Sequence, residues 1–324
     1  MNSPNGSKGE GDKSWFDTKT KSDKSCAALA SKQRAKSPCH LMNEDMTAAR
    51  TEQSRRHWSI NDIDFNAIND KLVRHDQFLF ITLVSASFVE IHSEQYADNL
   101  ICYFQDNPEL TCWLANHWRR DEVQHGKALK AYVQQVWPEF DWERAYLAFG
   151  LEYGLLCTVE QLEKHKGLEL IARCVVETGT SSFYRAMQNY VQEPVLTSLI
   201  EKIRTDEISH YTQFRRHFLE YNTDERHSVV ALTQTIWRRL KAISNEDAYI
   251  AFKHVHSQKN PVADALVLRA AWDQYNQAVK KLSRHYYPHR LAIKMLVKPI
   301  PLPAGVKKML ALPLTGVALM LSYS

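Results

Sequence analysis

Two Glu-x-x-His pairs carry the chemistry that this chain offers. Glu122 and His125 lie in Asp121-Glu122-Val123-Gln124-His125, and Glu207 and His210 lie in Asp206-Glu207-Ile208-Ser209-His210. Residues three apart share one face of a helix, so each pair can grip one ion with an oxygen and a nitrogen. Two single glutamates, Glu90 and Glu177, stand on the helices that precede the two pairs. All sit on apolar stripes: Glu90 with Leu83, Ala86, Ala97 and Ile101, Glu122 with Ala115, Trp118, Leu129 and Val133, and Glu207 with Ile200, Ile203, Phe214 and Phe218. Burying four carboxylates together is prohibitive unless cations neutralise them or several become protonated. Two divalent metal ions resolve the conflict, and four carboxylates with two imidazoles suit iron or manganese. One ExxH pair arises readily by chance, and a lone glutamate on an apolar face has a salt-bridged core role as its rival reading. Two pairs, each preceded by Asp and by a helix with an inward glutamate, favour metal.

The elements that must position these residues are helices. Glycine and proline are scarce, and apolar residues recur at helical spacing, so the fold class is all-α. Capping oxygens at Ser59, Asn61 and Asp62 mark the start of order near Trp58. Long helices are predicted over about 76–105, 109–136, 141–164, 168–191 and 195–221, with breaks at Pro108, Pro138 and Pro194. Shorter ones follow near 225–243, 246–257 and 262–286. The segment Glu177-Thr178-Gly179-Thr180-Ser181-Ser182 is a poor helix former, and its hydroxyls can distort the ladder into a π-bulge beside Glu177. The rival reading is a small-residue patch for close helix packing.

The flanks differ from this body. Residues 1–56 are polar and expected to be disordered, 57–287 form the helical domain, and 288–324 are an apolar tail broken by Pro288, Pro299, Pro301, Pro303 and Pro313. Lys294, Lys298, Lys307 and Lys308 punctuate that tail, which suits packing on the body or a partner subunit, with peripheral contact to an anionic membrane as the alternative. The net charge of +4 is mild and the charges are mixed, so no nucleic-acid footprint stands out. Six cysteines without a CxxC pair fit a reduced, cytoplasmic setting, and neither a secretory signal nor a spanning apolar run is evident.

The order Glu, ExxH, Glu, ExxH over four helices resembles the ferritin-like di-iron carboxylate superfamily, in its oxygen-activating branch of soluble acyl-carrier-protein desaturases, bacterial multicomponent monooxygenases and ribonucleotide reductase small subunits. The resemblance covers residues 76–221. It implies a ferritin-like four-helix bundle core with additional helices, and Glu90, Glu122, His125, Glu177, Glu207 and His210 as ligands of two iron ions or an iron/manganese pair. Glu94, one turn beyond Glu90, is the fallback first ligand. A metal-bound imidazole usually donates its other N–H to a carboxylate; similar families use the positions of Asp121 and Asp206, so Asp206 is expected to orient His125 and Asp121 to orient His210. Thr180 resembles the hydroxyl of desaturases and Ser181 that of the monooxygenases. Trp113, Trp118, Phe183 and Tyr184 are read as core and pocket wall, and the remaining histidines as ordinary surface or core residues.

The resemblance implies an O2-dependent oxidoreductase, a desaturase or monooxygenase acting on an unactivated C–H bond, of an acyl chain for example, or on nitrogen. Its expected partners are a ferredoxin-like electron donor and an organic substrate, carried in one version on an acyl carrier protein, and its expected assembly is a homodimer. The alternative is a non-catalytic or ferroxidase-type iron or manganese protein. Leu129 occupies the place where reductase subunits carry a radical tyrosine, and Ile203 the place of an extra histidine in arylamine oxygenases, so neither relative fits closely.

Overall fold

The computed structural model describes residues 58–243, 247–260 and 264–323, all-helical apart from turns and links, with no strand among them. The predicted disordered segment 1–56 lies outside the described residues. After three short 3-10 turns, of which the first is closed by a capping box between Ser59 and Asp62, the long elements begin. They are α1 (Gln77–Tyr103), α2 (Pro108–Trp113), α3 (Arg119–Val136), α4 (Trp142–Tyr153), α5 (Lys166–Tyr190) and α6 (Pro194–Glu225). Beyond them come α7 (Val229–Ile243), α8 (Asp247–Lys259), α9 (Ala265–Tyr286), α10 (His289–Val297) and α11 (Ala304–Tyr323).

The starts of these helices follow from local chemistry. Asp76, Asn107 and Asp141 each accept a hydrogen bond from a backbone N–H of the first turn. Asn107 and Glu193 are each followed by a proline, which needs no N–H partner at that position. One expectation is corrected. The third long helix stops at Tyr153 instead of 164, because Gly154 ends it and Gln95 takes the Gly154 and Cys157 carbonyls as acceptors. The Pro-punctuated tail contains α10 and α11, the latter continuing through Pro313. Cys157 and Cys174 are buried free thiols.

Helix α1 packs along α3, and α5 along α6. Gly126 makes the first approach possible: a Cβ there would stand 2.5 Å from Ile91 Cγ1 and 2.7 Å from its backbone nitrogen. The apolar core divides into two clusters. One contains Leu79 to Phe88, Ala128 to Val136, Tyr184 to Val191 and Leu196 to Ile203. The other contains Ala97 to Phe104, Leu110 to Trp118, Leu168 to Val175 and Tyr211 to Phe218. On each of the four elements the chain leaves one cluster and enters the other around a fixed point. Those points are Glu90, Glu122–His125, Glu177 and Glu207–His210.

Candidate metal centre

The six residues singled out by spacing meet in this polar layer, and all are buried. Glu90 comes from α1, Glu122 and His125 from α3, Glu177 from α5, and Glu207 and His210 from α6. They form two groups of four, one of Glu90, Glu122, His125 and Glu207, the other of Glu122, Glu177, Glu207 and His210. Within each group the donor atoms lie within 4.8 Å of one another, and Glu122 and Glu207 belong to both. Glu94, the fallback, is exposed and takes no part in either group.

The orientation of five of the six donors, Glu122 being the exception, is fixed from outside the cluster. His125 Nε2 lies 3.0 Å from Asp206 Oδ2, and His210 Nε2 lies 3.5 Å from Asp121 Oδ2. The Tyr184 hydroxyl donates to Glu90 Oε1, Trp118 Nε1 donates to Glu177 Oε1 at 3.1 Å, and the Thr180 hydroxyl donates to Glu207 Oε2 at 2.8 Å. Trp58 Nε1 in turn donates to Asp206 Oδ2 at 2.7 Å, and its ring stacks parallel to that of His125 at 6.1 Å.

The inner atoms have no such partners. His125 Nδ1, His210 Nδ1, Glu122 Oε1, Glu177 Oε2 and Glu207 Oε1 are buried without a hydrogen bond among the described residues. They nevertheless crowd together: His125 Nδ1 is 3.2 Å from Glu207 Oε1 and 3.6 Å from Glu90 Oε2, and His210 Nδ1 is 3.1 Å from Glu122 Oε1 and 3.7 Å from Glu177 Oε2. Buried polar atoms without partners are rare and costly, and here five converge on one volume.

Electrostatics in the absence of a cation reflect that crowding. Burial, with the charges of Glu207 and Glu90, pushes Glu122 well above the usual carboxylate range. Burial and the charge of Glu177 push Glu207 up to about 8. Burial acts against a charged imidazole, yet Asp206, Glu207 and Glu90 hold His125 well above its ordinary value, and Asp121, Glu122 and Glu177 do the same for His210. Burial also acts against the charge of Glu90, but His125 and the Tyr184 hydroxyl outweigh it and lower that carboxyl. These shifts favour the protonated forms of Glu122, Glu207, His125 and His210.

The hydroxyl segment after Glu177 departs from expectation. Helix α5 stays α-helical through it: Thr178 and Ser181 direct their hydroxyls to carbonyls one turn back without opening the ladder. The π-helical turn lies instead at Leu114–Trp118, between α2 and α3 and immediately ahead of the first ExxH pair. Of the two hydroxyls proposed for chemistry, only Thr180 reaches a cluster carboxylate. Ser181 Oγ donates instead to the Glu177 and Thr178 carbonyls, at 2.6 and 3.3 Å. Trp118 and Tyr184, read as core and wall, are also hydrogen-bond donors to the cluster, and Trp58 was seen in the sequence only as a boundary. Its contact with Asp206 spans 148 positions and leaves no periodic signal.

No protein-family model, no curated protein and no solved structure matches this chain.

Proposed function

We propose that the buried layer is a di-iron carboxylate centre in a ferritin-like four-helix core, and that the protein is an O2-dependent oxidoreductase of the desaturase or monooxygenase kind. The observation that carries the reading is the division of labour among donor atoms. The outer oxygens of Glu90, Glu177 and Glu207 and the outer nitrogens of both histidines are held by Tyr184, Trp118, Thr180, Asp206 and Asp121. The inner atoms converge unpartnered. No lysine or arginine forms an ion pair with these four glutamates among the described residues; their near partners are the two histidines of the cluster itself. The set fits two ions that share Glu122 and Glu207, with Glu90 and His125 on one and Glu177 and His210 on the other.

Two irons held there supply the capacity to reduce dioxygen and to oxidise an unactivated C–H bond or a nitrogen, with electrons from an external ferredoxin-like donor. The chain's own residues do the rest. Asp206 and Asp121 fix the imidazole orientation and tautomer, so that each Nδ1 faces inward as an acceptor. Tyr184, Trp118 and Thr180 hold one oxygen each of Glu90, Glu177 and Glu207 and leave the other free to bind. The two apolar clusters exclude water from above and below.

Metal analysis by mass spectrometry on protein from iron-supplemented cells tests the centre, with Glu207→Ala beside it. About two irons per wild-type chain and their loss in the variant are expected. No metal in either sample after anaerobic reconstitution would sink the proposal. Turnover of organic candidates with O2 and reductant separates an oxygenase from a ferroxidase, which consumes O2 with iron alone.

A further inference from the structure

The mild net charge of the chain conceals a strong asymmetry. Of its 41 Lys and Arg residues and 37 Asp and Glu residues, eight of the basic ones and none of the acidic ones lie beyond Asp273. The remainder therefore carries four more acidic than basic residues, and the C-terminal part carries all of the positive excess. Its described helices are attached to the body. Helix α10 packs on α5, α11 packs on α10 and α9, and the Tyr211 hydroxyl of α6 donates to the Met295 carbonyl at 2.7 Å.

Its outer side combines charge with exposed apolar groups. Helix α10 buries Ala292, Met295 and Val297 and exposes Arg290, Lys294 and Lys298, one turn apart, with Leu291 alongside. At the start of α11, Val306, Lys308 and Met309 are exposed, Met309 at 76%. No carboxylate pairs with Arg290, Lys294, Lys298 or Lys308 among the described residues. Between α10 and α11 opens a cavity of about 560 Å³, lined in part by Tyr287, His289, Arg290, Lys294 and Thr315. Its cations and hydroxyls match a phosphate-bearing headgroup. No described helix is long and apolar enough to cross a membrane.

From these features we infer that α10 and α11 form a peripheral docking surface for an anionic phospholipid bilayer. The unpaired cations meet headgroups, while Leu291, Val306 and Met309 enter the boundary with the acyl chains. Charge complementarity selects the occupant. An acidic protein would satisfy the cations, but it would leave unexplained the exposed bulky apolar groups interleaved with them. The surface is independent of the metal reading.

The test is co-sedimentation of the full-length chain with phosphatidylcholine vesicles, with and without about 30% phosphatidylglycerol. Binding to the anionic vesicles alone, lost when salt is raised from about 0.05 to about 0.5 M, is expected of the wild-type chain. The double variant Lys294→Glu, Lys308→Glu should bind about tenfold or more weakly, and Met309→Ser several-fold more weakly at unchanged charge, both with unaltered far-ultraviolet circular dichroism. Equal affinity for neutral and anionic vesicles, or no binding to either, would overturn the inference, and the wild-type salt series decides it even where a variant misfolds. Retention of an acidic carrier protein by this surface without any vesicle binding would overturn it too.

Discussion

Asp206 Oδ2 stands 3.0 Å from His125 Nε2, on the side of the imidazole away from the carboxylates. The same oxygen accepts from Trp58 Nε1 at 2.7 Å, so the carboxylate that orients the ring is itself held. Asp206→Asn removes the charge while keeping the shape, and should weaken iron binding about 10- to 100-fold in a chelator competition. Asp121→Asn, whose counterpart contact to His210 is 3.5 Å, should cost less. Equal affinities for Asp206→Asn and wild type would remove Asp206 from the site.

Thr180 and Ser181 make opposite predictions despite being neighbours. Thr180→Val deletes the donor to Glu207 Oε2, a hydrogen bond to a charged group worth about 1.5–3 kcal/mol. Metal affinity should fall by about tenfold or more, with a change in the absorption bands of the iron-loaded protein. Ser181→Ala deletes only back-bonds to Glu177 and Thr178 carbonyls and should bind metal as wild type does. The reverse ranking would contradict the assignment.

Two glycines provide a control on the packing. Gly126→Ala places a methyl against the Ile91 backbone, which cannot yield like a side-chain end, so α1 and α3 must separate. A loss of about 1–3 kcal/mol in denaturant unfolding is expected, together with weaker metal binding, because Glu90 and His125 sit on the separated helices. Gly179→Ala meets open space inside α5 and should stabilise by about 0.5–1 kcal/mol. A neutral Gly126→Ala would show that the approach of α1 to α3 is looser than described.

The protons of the polar layer set a pH dependence whose sign is fixed. Glu122, Glu207, His125 and His210 all hold protons more tightly folded than unfolded. Their contribution is therefore complete in acid below the unfolded values and lost as pH rises through the folded ones, about 8 for Glu207. The lowered carboxyl of Glu90 works the other way, in acid alone. Metal-free protein should show a melting temperature that falls between about pH 6 and about pH 9, and metal-loaded protein should not. Parallel pH profiles for the two forms would mean that metal does not replace these protons.

What the sequence made visible and what it hid divide along physical lines. Helix starts at Asp76, Asn107 and Asp141, and the shared faces of Glu122 with His125 and of Glu207 with His210, follow from interactions within four residues. Local rules read such interactions well. The convergence of Glu90 and Glu177 was accessible because each lies on an apolar stripe that could not tolerate it alone. The hydrogen bonds of Tyr184 to Glu90 and of Trp118 to Glu177 cross between helices, and an aromatic residue on a core face looks the same whether or not its polar atom has a partner. The distortion predicted near Thr180 was misplaced because back-bonding hydroxyls can bend a ladder or simply decorate it. The π turn at Leu114–Trp118 has no comparable cluster of weak helix formers to announce it. The end of α4 was missed because Gln95, which captures the carbonyls beyond Tyr153, lies on another helix.

The polar layer interrupts all four site-bearing elements at one level, so the two apolar clusters adjoin across a seam whose cohesion depends on what fills it. Without ions that seam joins the halves through unpartnered polar atoms, and the halves on either side are expected to open separately. Hydrogen exchange should then resolve two protection classes, one for the half built on Leu79–Phe88 and Leu196–Ile203 and one for that built on Leu168–Val175 and Tyr211–Phe218. Ions held as proposed would bridge the seam and should merge the two classes into one cooperative unit, so that metal would act on the folding unit as well.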